Sequence, residues 1–418
     1  MSGRTDEPLR RDIGFFGSAF LSFNGVVGGG IFALPATLYT QFGSFSPFLF
    51  PLFGLLVLIV ALPFARVAAR HPLSGGPVVY AAAFGPAASF QAGWLYYVAR
   101  ATALAANATL LVTYLASWWP AVGGGWPRAG IIVAICALLT LVNIVGVRRA
   151  VRLLDALTLL KATPLIVAAV VGLAMAGAIE PLGPMPPLSH LEAAALLILF
   201  AFVGFENSVV AAGETADPRR TVPRALVATV LATAVLYFLI QLSYVAVMEP
   251  VASATPMVDF GRAVMGPAGA ALLTAAAIFS LLGNISGGMT GTTRASYAMA
   301  RDGLLPGWFG RVSERYATPA NSILFMGALV ALLALSGSFV WLAVVSTLAR
   351  MFVYSISIAS LAKGERPSPL LWAMMAAGIA VCAWAASQSK WESWRMLLIL
   401  IAAGTLLYAI ARAARRKA

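Results

Sequence analysis

Acidic residues are scarce: 15 Asp and Glu stand against 28 Lys and Arg in 418 positions, and charged residues make up only 10% of the chain. Two histidines, two cysteines and four lysines complete a short inventory of reactive side chains. Each scarcity removes a class of protein. With 61% hydrophobic residues and a mean hydropathy of +0.89 there are too few polar groups to cover a soluble globule, so the chain reads as one polytopic membrane domain over 1–418. None of Lys161, Lys363, Lys390 and Lys417 follows a glycine, which excludes the phosphate-cradling loop of a nucleotide-driven pump. His71 and His190 fall in loops expected on opposite sides, and neither H-E-x-x-H nor G-x-S-x-G occurs, so an enzyme is not expected. Cys136 and Cys382 both sit in apolar runs as filler, and no disulfide framework, metal site or cofactor is expected.

What is abundant is apolar sequence in helical lengths. Runs at 13–40, 44–66, 85–118, 129–147, 153–178, 191–212, 223–248, 267–300, 320–336, 339–361, 369–387 and 394–411 give about twelve spans of an all-α membrane protein. The polar tail ahead of them, with Asp6, Glu7 and Asp12, carries no cleavable signal pattern, and the first span is expected to be retained. Twenty Lys and Arg residues, from Arg4, Arg10 and Arg11 through Arg148, Arg149, Arg152 and Arg366 to Arg416 and Lys417, fall on the side that holds both termini. Only Arg128, Arg262, Lys390 and Arg395 fall on the other. Positive loops stay inside, so both termini are expected in the cytoplasm of a bacterial cell, with the chain in the plasma (inner) membrane. The same asymmetry accounts for the net charge of +13 without a nucleic-acid partner.

Within the first span, Phe23 to Pro35 reads F-N-G-V-V-G-G-G-I-F-A-L-P. Three consecutive glycines, Gly28, Gly29 and Gly30, each cost about 1 kcal/mol relative to alanine in a helix, so a break at mid-depth is expected there. A break leaves free N–H groups at the start of the second half and free carbonyls at the end of the first, which suits the two ends of a small zwitterion. The competing reading is that the glycines only let another helix approach closely. The sixth span repeats the oddity: Ile198 to Val210 carries Gly204 and Glu206 among Phe200, Phe202 and Phe205. Its competing reading is a glycine kink with a snorkelling acid. Two interrupted spans, five apart, are the mark of an inverted repeat, with 13–178 as the first unit, 191–361 as the second, and 369–411 as two additional helices. Arg100, Lys161, Arg294 and Arg350 are the cations within spans and Glu206 the one acid clearly at membrane depth, so each needs a partner or a wet cavity.

Five motifs in register then carry a resemblance. G-G-G-I-F-A-L-P (28–35), P-L-S-G-G-P-V-V-Y (72–80) with A-F-G (83–85), F-V-G-F-E (202–206), D-P-R-R-T-V-P-R-A (217–225) and R-A-S-Y-A-M-A-R-D-G-L-L-P (294–306) resemble the signatures of permeases in the amino acid–polyamine–organocation superfamily. The resemblance implies a leucine-transporter-type fold with 5+5 inverted repeats, discontinuous first and sixth helices, alternating access, and a substrate carrying α-amino and α-carboxylate groups. It implies that the N–H groups of Gly28, Gly29 and Gly30 bind the carboxylate, and that carbonyls around Val26, Phe200 and Val203 bind the ammonium. By the same resemblance Phe200 closes over the substrate, Glu206 serves coupling to protons or gating, and Lys161 occupies the place where sodium-coupled relatives hold a cation. Sodium-independent transport, proton-coupled or exchanging, is the consequence. Lys161 as a proton carrier and Lys161 as a tether on carbonyls of the first and eighth spans remain open alternatives.

Many relatives have Gly-Ser-Gly where this chain has Gly28-Gly29-Gly30, so a hydroxyl is missing. By spacing alone Arg350 is the inverted-repeat counterpart of Lys161, and Arg350, Arg100 and Arg294 are expected to be structural. The placeable pocket residues, Val26, Phe200, Phe202, Val203 and Gly204, show no second acid, which suggests a neutral, hydrophobic amino acid. The runner-up is a polyamine or organic cation transporter of the same fold, and both monomer and homodimer stay open.

Overall fold

The structure, a computed structural model, describes residues 12–71, 75–146, 148–177, 183–210, 212–363 and 368–417. The N-terminal tail with Arg4, Arg10 and Arg11, positions 72–74 of the glycine-proline loop, position 178 at the expected close of the first repeat, and Arg366 lie outside the described residues, as do the side chains of Arg148, Arg149, Arg152, Arg416 and Lys417. Every described element is a helix or a short helical turn, apart from one isolated bridge between Ile13 and Thr215. In chain order they are α1 (Phe15–Val26), α2 (Gly29–Phe42), α3 (Leu49–Arg70), α4 (Pro77–Ala81), α5 (Pro86–Ala116), α6 (Gly125–Val145), α7 (Arg148–Met175) and α8 (Leu188–Phe200). Then follow α9 (Asn207–Val210), α10 (Pro218–Val247), α11 (Pro256–Arg301), α12 (Ala320–Ser336), α13 (Phe339–Ala359), α14 (Pro369–Ser387) and α15 (Trp391–Lys417).

Each of the twelve apolar runs is helical, and the first and sixth are each split in two. Among the described residues eight helical segments are long and apolar enough to cross a membrane, and Phe15–Val26, Leu188–Phe200 and Ala320–Ser336 are shorter apolar helices. Two of the short ones, α1 and α8, are first halves of interrupted spans, which is why length alone undercounts the crossings. Two features depart from the sequence reading. The loop before the third span folds a turn of its own, α4, opened by Pro77 at its first position, where a missing N–H costs nothing. An extra helical segment from Pro256 precedes the eighth span; Met265 and Gly266 (φ +63°) leave helical space, and the span itself opens at Pro267 as expected. Glycine takes that left-handed conformation without strain, and Pro267 opens the second leg with no N–H to satisfy.

Burial separates post from periphery. In the apolar stretch of α5, 89% of residues are buried, against 22% in α6 and α15 and 28% in α14, so α5 is the central post and the others present their faces to lipid. α5 packs against α11, α12 and α13, α3 against α10, and α1 against α10 and α9. The two C-terminal helices lie on the flank, α14 on α3 and α13, α15 on α13 and α5, where the Trp94 indole donates to the Leu400 carbonyl at 2.7 Å. Exposed Leu55, Leu138, Val170, Leu332 and Leu406 belong to the apolar exterior that a bilayer would cover.

Candidate functional site

The first break is real and its ends are occupied. α1 stops at Val26, Val27 (φ −74°, ψ 87°) and Gly28 (φ −135°, ψ −140°) leave helical space, and α2 restarts at Gly29. The orphan carbonyls of α1 are met one by one. Lys161 Nζ, on α7 and only 1% exposed, donates to Asn24 O at 3.0 Å, Asn24 Oδ1 at 2.6 Å and Val27 O at 2.7 Å. An ammonium has three N–H donors, and here three acceptors take them. Ser280 Oγ adds a second bond to Val27 O at 3.1 Å, and Tyr237 Oη reaches Val26 O at 3.2 Å. Asn284 Nδ2 donates to Gly25 O at 3.0 Å and Asn24 O at 3.3 Å. One of the two open readings of Lys161 is a tether on carbonyls of the first and eighth spans. Among the described residues Lys161 bonds the first span, and the eighth, α11, contributes Ser280 and Asn284 as donors of its own.

On the other side of the break, Gly29 N–H donates to Asn107 Oδ1 at 3.2 Å, and Asn107 Nδ2 donates to Asn284 Oδ1 at 2.9 Å. Two side-chain amides, one from α5 and one from α11, thus bridge the start of α2 to the end of α1. The sequence reading missed both. The available signal was a carboxamide inside each of two otherwise apolar spans, which in lipid calls for an interhelical partner. Close packing explains the glycines: a Cβ on Gly29 would stand 2.6 Å from Asn107 Oδ1 and 2.8 Å from Phe339 Cε2, and one on Gly30 would stand 2.7 Å from Ala201 Cα. A serine side chain at Gly29 would run into Asn107 and Phe339.

The second break faces the first. α8 ends at Phe200, a run of turns carries the chain through Gly204 (φ +116°), and α9 starts at Asn207. Gly204 sits directly against the backbone of Gly25, where any side chain would overlap the carbonyl. Ser22 Oγ donates to Phe205 O at 2.6 Å and accepts from Ser208 N–H at 3.3 Å, pinning the two interrupted spans together. Glu206 is 1% exposed, and its Oε2 accepts from Gly204 N–H and Tyr354 Oη, both at 3.0 Å. Its Oε1 pairs with Arg350 Nε at 3.0 Å, and Arg350 Nη1 also donates to Ala99 O at 3.0 Å and to the Ser346 hydroxyl. By the sequence reading Arg350 is a structural charge in need of a partner and Glu206 serves proton coupling or gating; the structure pairs the two, buried, and ties α13 to the second break.

Between the breaks lies a cavity of about 20 Å³ lined by Gly25, Val26, Gly28, Gly29, Gly30, Arg100, Ala103, Asn107, Phe200, Val203 and Asn284. That is room for a water molecule, so an amino acid enters only if the walls part. Phe200 meets Phe339 edge to face at 5.6 Å on its border. The cavity brings together Val26, the three glycines, Phe200 and Val203, as the sequence reading expected, and adds Arg100. Phe202 is not on it: its ring packs on Phe50 and Tyr237 and lines a second, apolar cavity with Val57, Val60 and Tyr354. Lys161, Gly204, Glu206 and Arg350 stand behind the wall as supports. Arg294, read as an intramembrane charge, is exposed near the end of α11. No cluster of metal-ligating side chains occurs among the described residues.

Comparison with known proteins identifies the family. The amino acid permease family matches residues 13–413. An uncharacterized transporter of Mycobacterium bovis is 31% identical over 345 residues, covering 78% of this chain and 74% of the relative, and one from Mycobacterium tuberculosis matches equally. A cadaverine/lysine antiporter of Escherichia coli is 29% identical over 344 residues, covering 78% and 76% respectively. An all-helical chain with two facing helix breaks, matched over nearly its whole length, thus belongs to the amino acid permease family and is an integral membrane transporter.

Proposed function

We propose that the chain moves an amino acid across the membrane by alternating access, holding the zwitterionic head between the end of α1 and the start of α2. The observation that carries this reading is the polarity of the amide bridge. At the α1 end Asn284 presents N–H to carbonyls, and at the α2 end Asn107 presents oxygen to an N–H. An ammonium and a carboxylate on one carbon offer the same donor and acceptor in the same order, so substrate can take over these bonds when the breaks part. Phe200 then closes the site, and the Glu206–Arg350 pair holds the second break in register for gating or proton coupling.

Sodium independence follows from Lys161, whose ammonium fills the space beside the Asn24 and Val27 carbonyls and would repel a second cation there. The 5+5 repeat of 13–178 and 191–361, the cytoplasmic termini and a monomer or homodimer in a plasma (inner) membrane complete the proposal, supported by the placement of the two breaks and the arginine asymmetry. A neutral, hydrophobic side chain draws support from Val26, Phe200 and Val203. The polyamine reading draws support from the cadaverine/lysine antiporter relative. Against it stands a wall with no carboxylate among the described residues, since Glu206 is committed to Arg350.

The test is uptake into proteoliposomes over a panel of labelled amino acids and diamines, with Na⁺ and pH gradients imposed separately. Amino-acid uptake that ignores Na⁺ is expected; uptake of diamines alone would overturn the reading.

A further inference from the structure

Three buried cations surround the breaks, and they are not alike. Lys161 has all three donors taken, and Arg350 has its Nε on Glu206 and its Nη1 on Ala99 and Ser346, with only its Nη2 buried without an acceptor. Arg100, on α5, is 5% exposed and lines the cavity, yet no hydrogen bond or ion pair reaches it among the described residues, and its Nε is enclosed without an acceptor. Its guanidinium lies against Gly288 of α11, where a Cβ would stand 2.8 Å from Nη2, so the absent side chain is what gives it room. Glu206 is near enough for its charge to be felt, but both carboxylate oxygens are already spoken for by Arg350, Tyr354 and Gly204 N–H.

A charge enclosed without a partner is costly, and it is retained where something supplies the counter-charge. The rest of the wall supplies none: Glu206 balances Arg350, Lys161 is held by neutral carbonyls behind the wall, and Arg100 is the cation on the cavity wall without a hydrogen-bond partner among the described residues. Arg100, Ala103 and Asn107 are spaced by three and four residues, so they share one face of α5 along roughly 10 Å of axis. Asn107 marks the end that holds the head of the substrate, Ala103 leaves a gap, and Arg100 stands where a side chain would extend.

We propose that Arg100 binds a carboxylate on the substrate's side chain, so that the transported amino acid is an acidic one of the glutamate or aspartate type. This rests on the amino-acid reading above and replaces its hydrophobic side chain with a charged one. An acidic amino acid carries net charge −1 and supplies the counter-charge that the Arg100 guanidinium lacks. A neutral amino acid leaves the guanidinium unpaired, and a diamine adds two more positive charges to it.

The experiment compares labelled L-glutamate with L-glutamine, which match in shape and differ in charge, in proteoliposomes of the whole chain, with L-leucine as a third probe. The native protein is expected to favour glutamate over glutamine by about tenfold or more, Arg100→Lys to keep much of that preference, and Arg100→Gln to reduce it to about twofold or less. Because each preference is a ratio within one preparation, it does not depend on how much protein folds. If Arg100→Gln does not reach the membrane, the native ratio and Arg100→Lys decide. Glutamine or leucine carried as well as glutamate by the native protein overturns this inference and leaves the amino-acid reading standing. So does an equal loss of glutamate and glutamine in Arg100→Gln, which would assign Arg100 to the shared α-carboxylate. A requirement for chloride during glutamine uptake also overturns it, because a separate anion would then be the partner. If no amino acid moves, both readings fall.

Discussion

The two helix breaks solve one problem with opposite charges. At the first, the exposed carbonyl end of α1 meets donors: an ammonium from Lys161, an amide from Asn284 and hydroxyls from Tyr237 and Ser280. At the second, the turn leading into α9 meets an acceptor, the Glu206 carboxylate, which takes Gly204 N–H and is neutralised by Arg350. A cation at a helix C-terminus and an anion at an N-terminus are the favourable placements for the peptide dipole. The contrast lies in what is left over. Both breaks are closed by bonds within the protein, but the first is bridged by two neutral amides beside an arginine without a hydrogen-bond partner among the described residues, and that side is the one a ligand can enter.

Substitutions should separate the two breaks by magnitude. The largest loss is expected from Glu206→Gln, which strands the Arg350 guanidinium: about 3–5 kcal/mol of stability, read as a fall in thermal unfolding in detergent, with part recovered by adding Arg350→Met. If Glu206 also serves proton coupling, any residual transport should lose its pH dependence, and an unchanged pH profile would remove it from that role. Lys161→Met comes next, at about 3 kcal/mol, because buried carbonyls of Asn24 and Val27 lose a charged donor. A variant that stays folded but turns over slowly would instead support proton carrying. Gly30→Ala drives a methyl into Ala201 across the break and should cost about 1–3 kcal/mol, with a larger loss in transport rate than in stability. Asn107→Ala leaves Gly29 N–H without its acceptor, worth about 1 kcal/mol, and should weaken apparent affinity in uptake assays more than it lowers the unfolding temperature. Arg294→Gln, at an exposed site, should change neither transport nor unfolding.

Features written in local sequence were the legible ones. Apolar runs about 20 residues long fixed the twelve spans, and Gly28–Gly30 and Gly204 marked both breaks because glycine is a poor residue with which to continue a lipid-embedded helix. The cavity residues Val26, Phe200 and Val203 followed from those breaks. Pairing across the fold was not legible. Glu206 and Arg350 lie 144 positions apart, and Asn107 and Asn284 lie 177 apart, and no local period links such positions. Phe202 was misplaced for a geometric reason: past Phe200 the chain leaves the helix, so neighbouring aromatics turn to different cavities. Arg100 was visible as a charge within a span, but its lack of a partner becomes visible only once every neighbour is in place.

The most direct measurement on the facing breaks is competition by a substrate stripped of one end. Uptake of a labelled amino acid should be inhibited by an unlabelled amino acid and left untouched by an amine that lacks every carboxylate, leucine against isopentylamine. Equal inhibition by the amine would show that no carboxylate is bound at the start of α2, and would contradict the account.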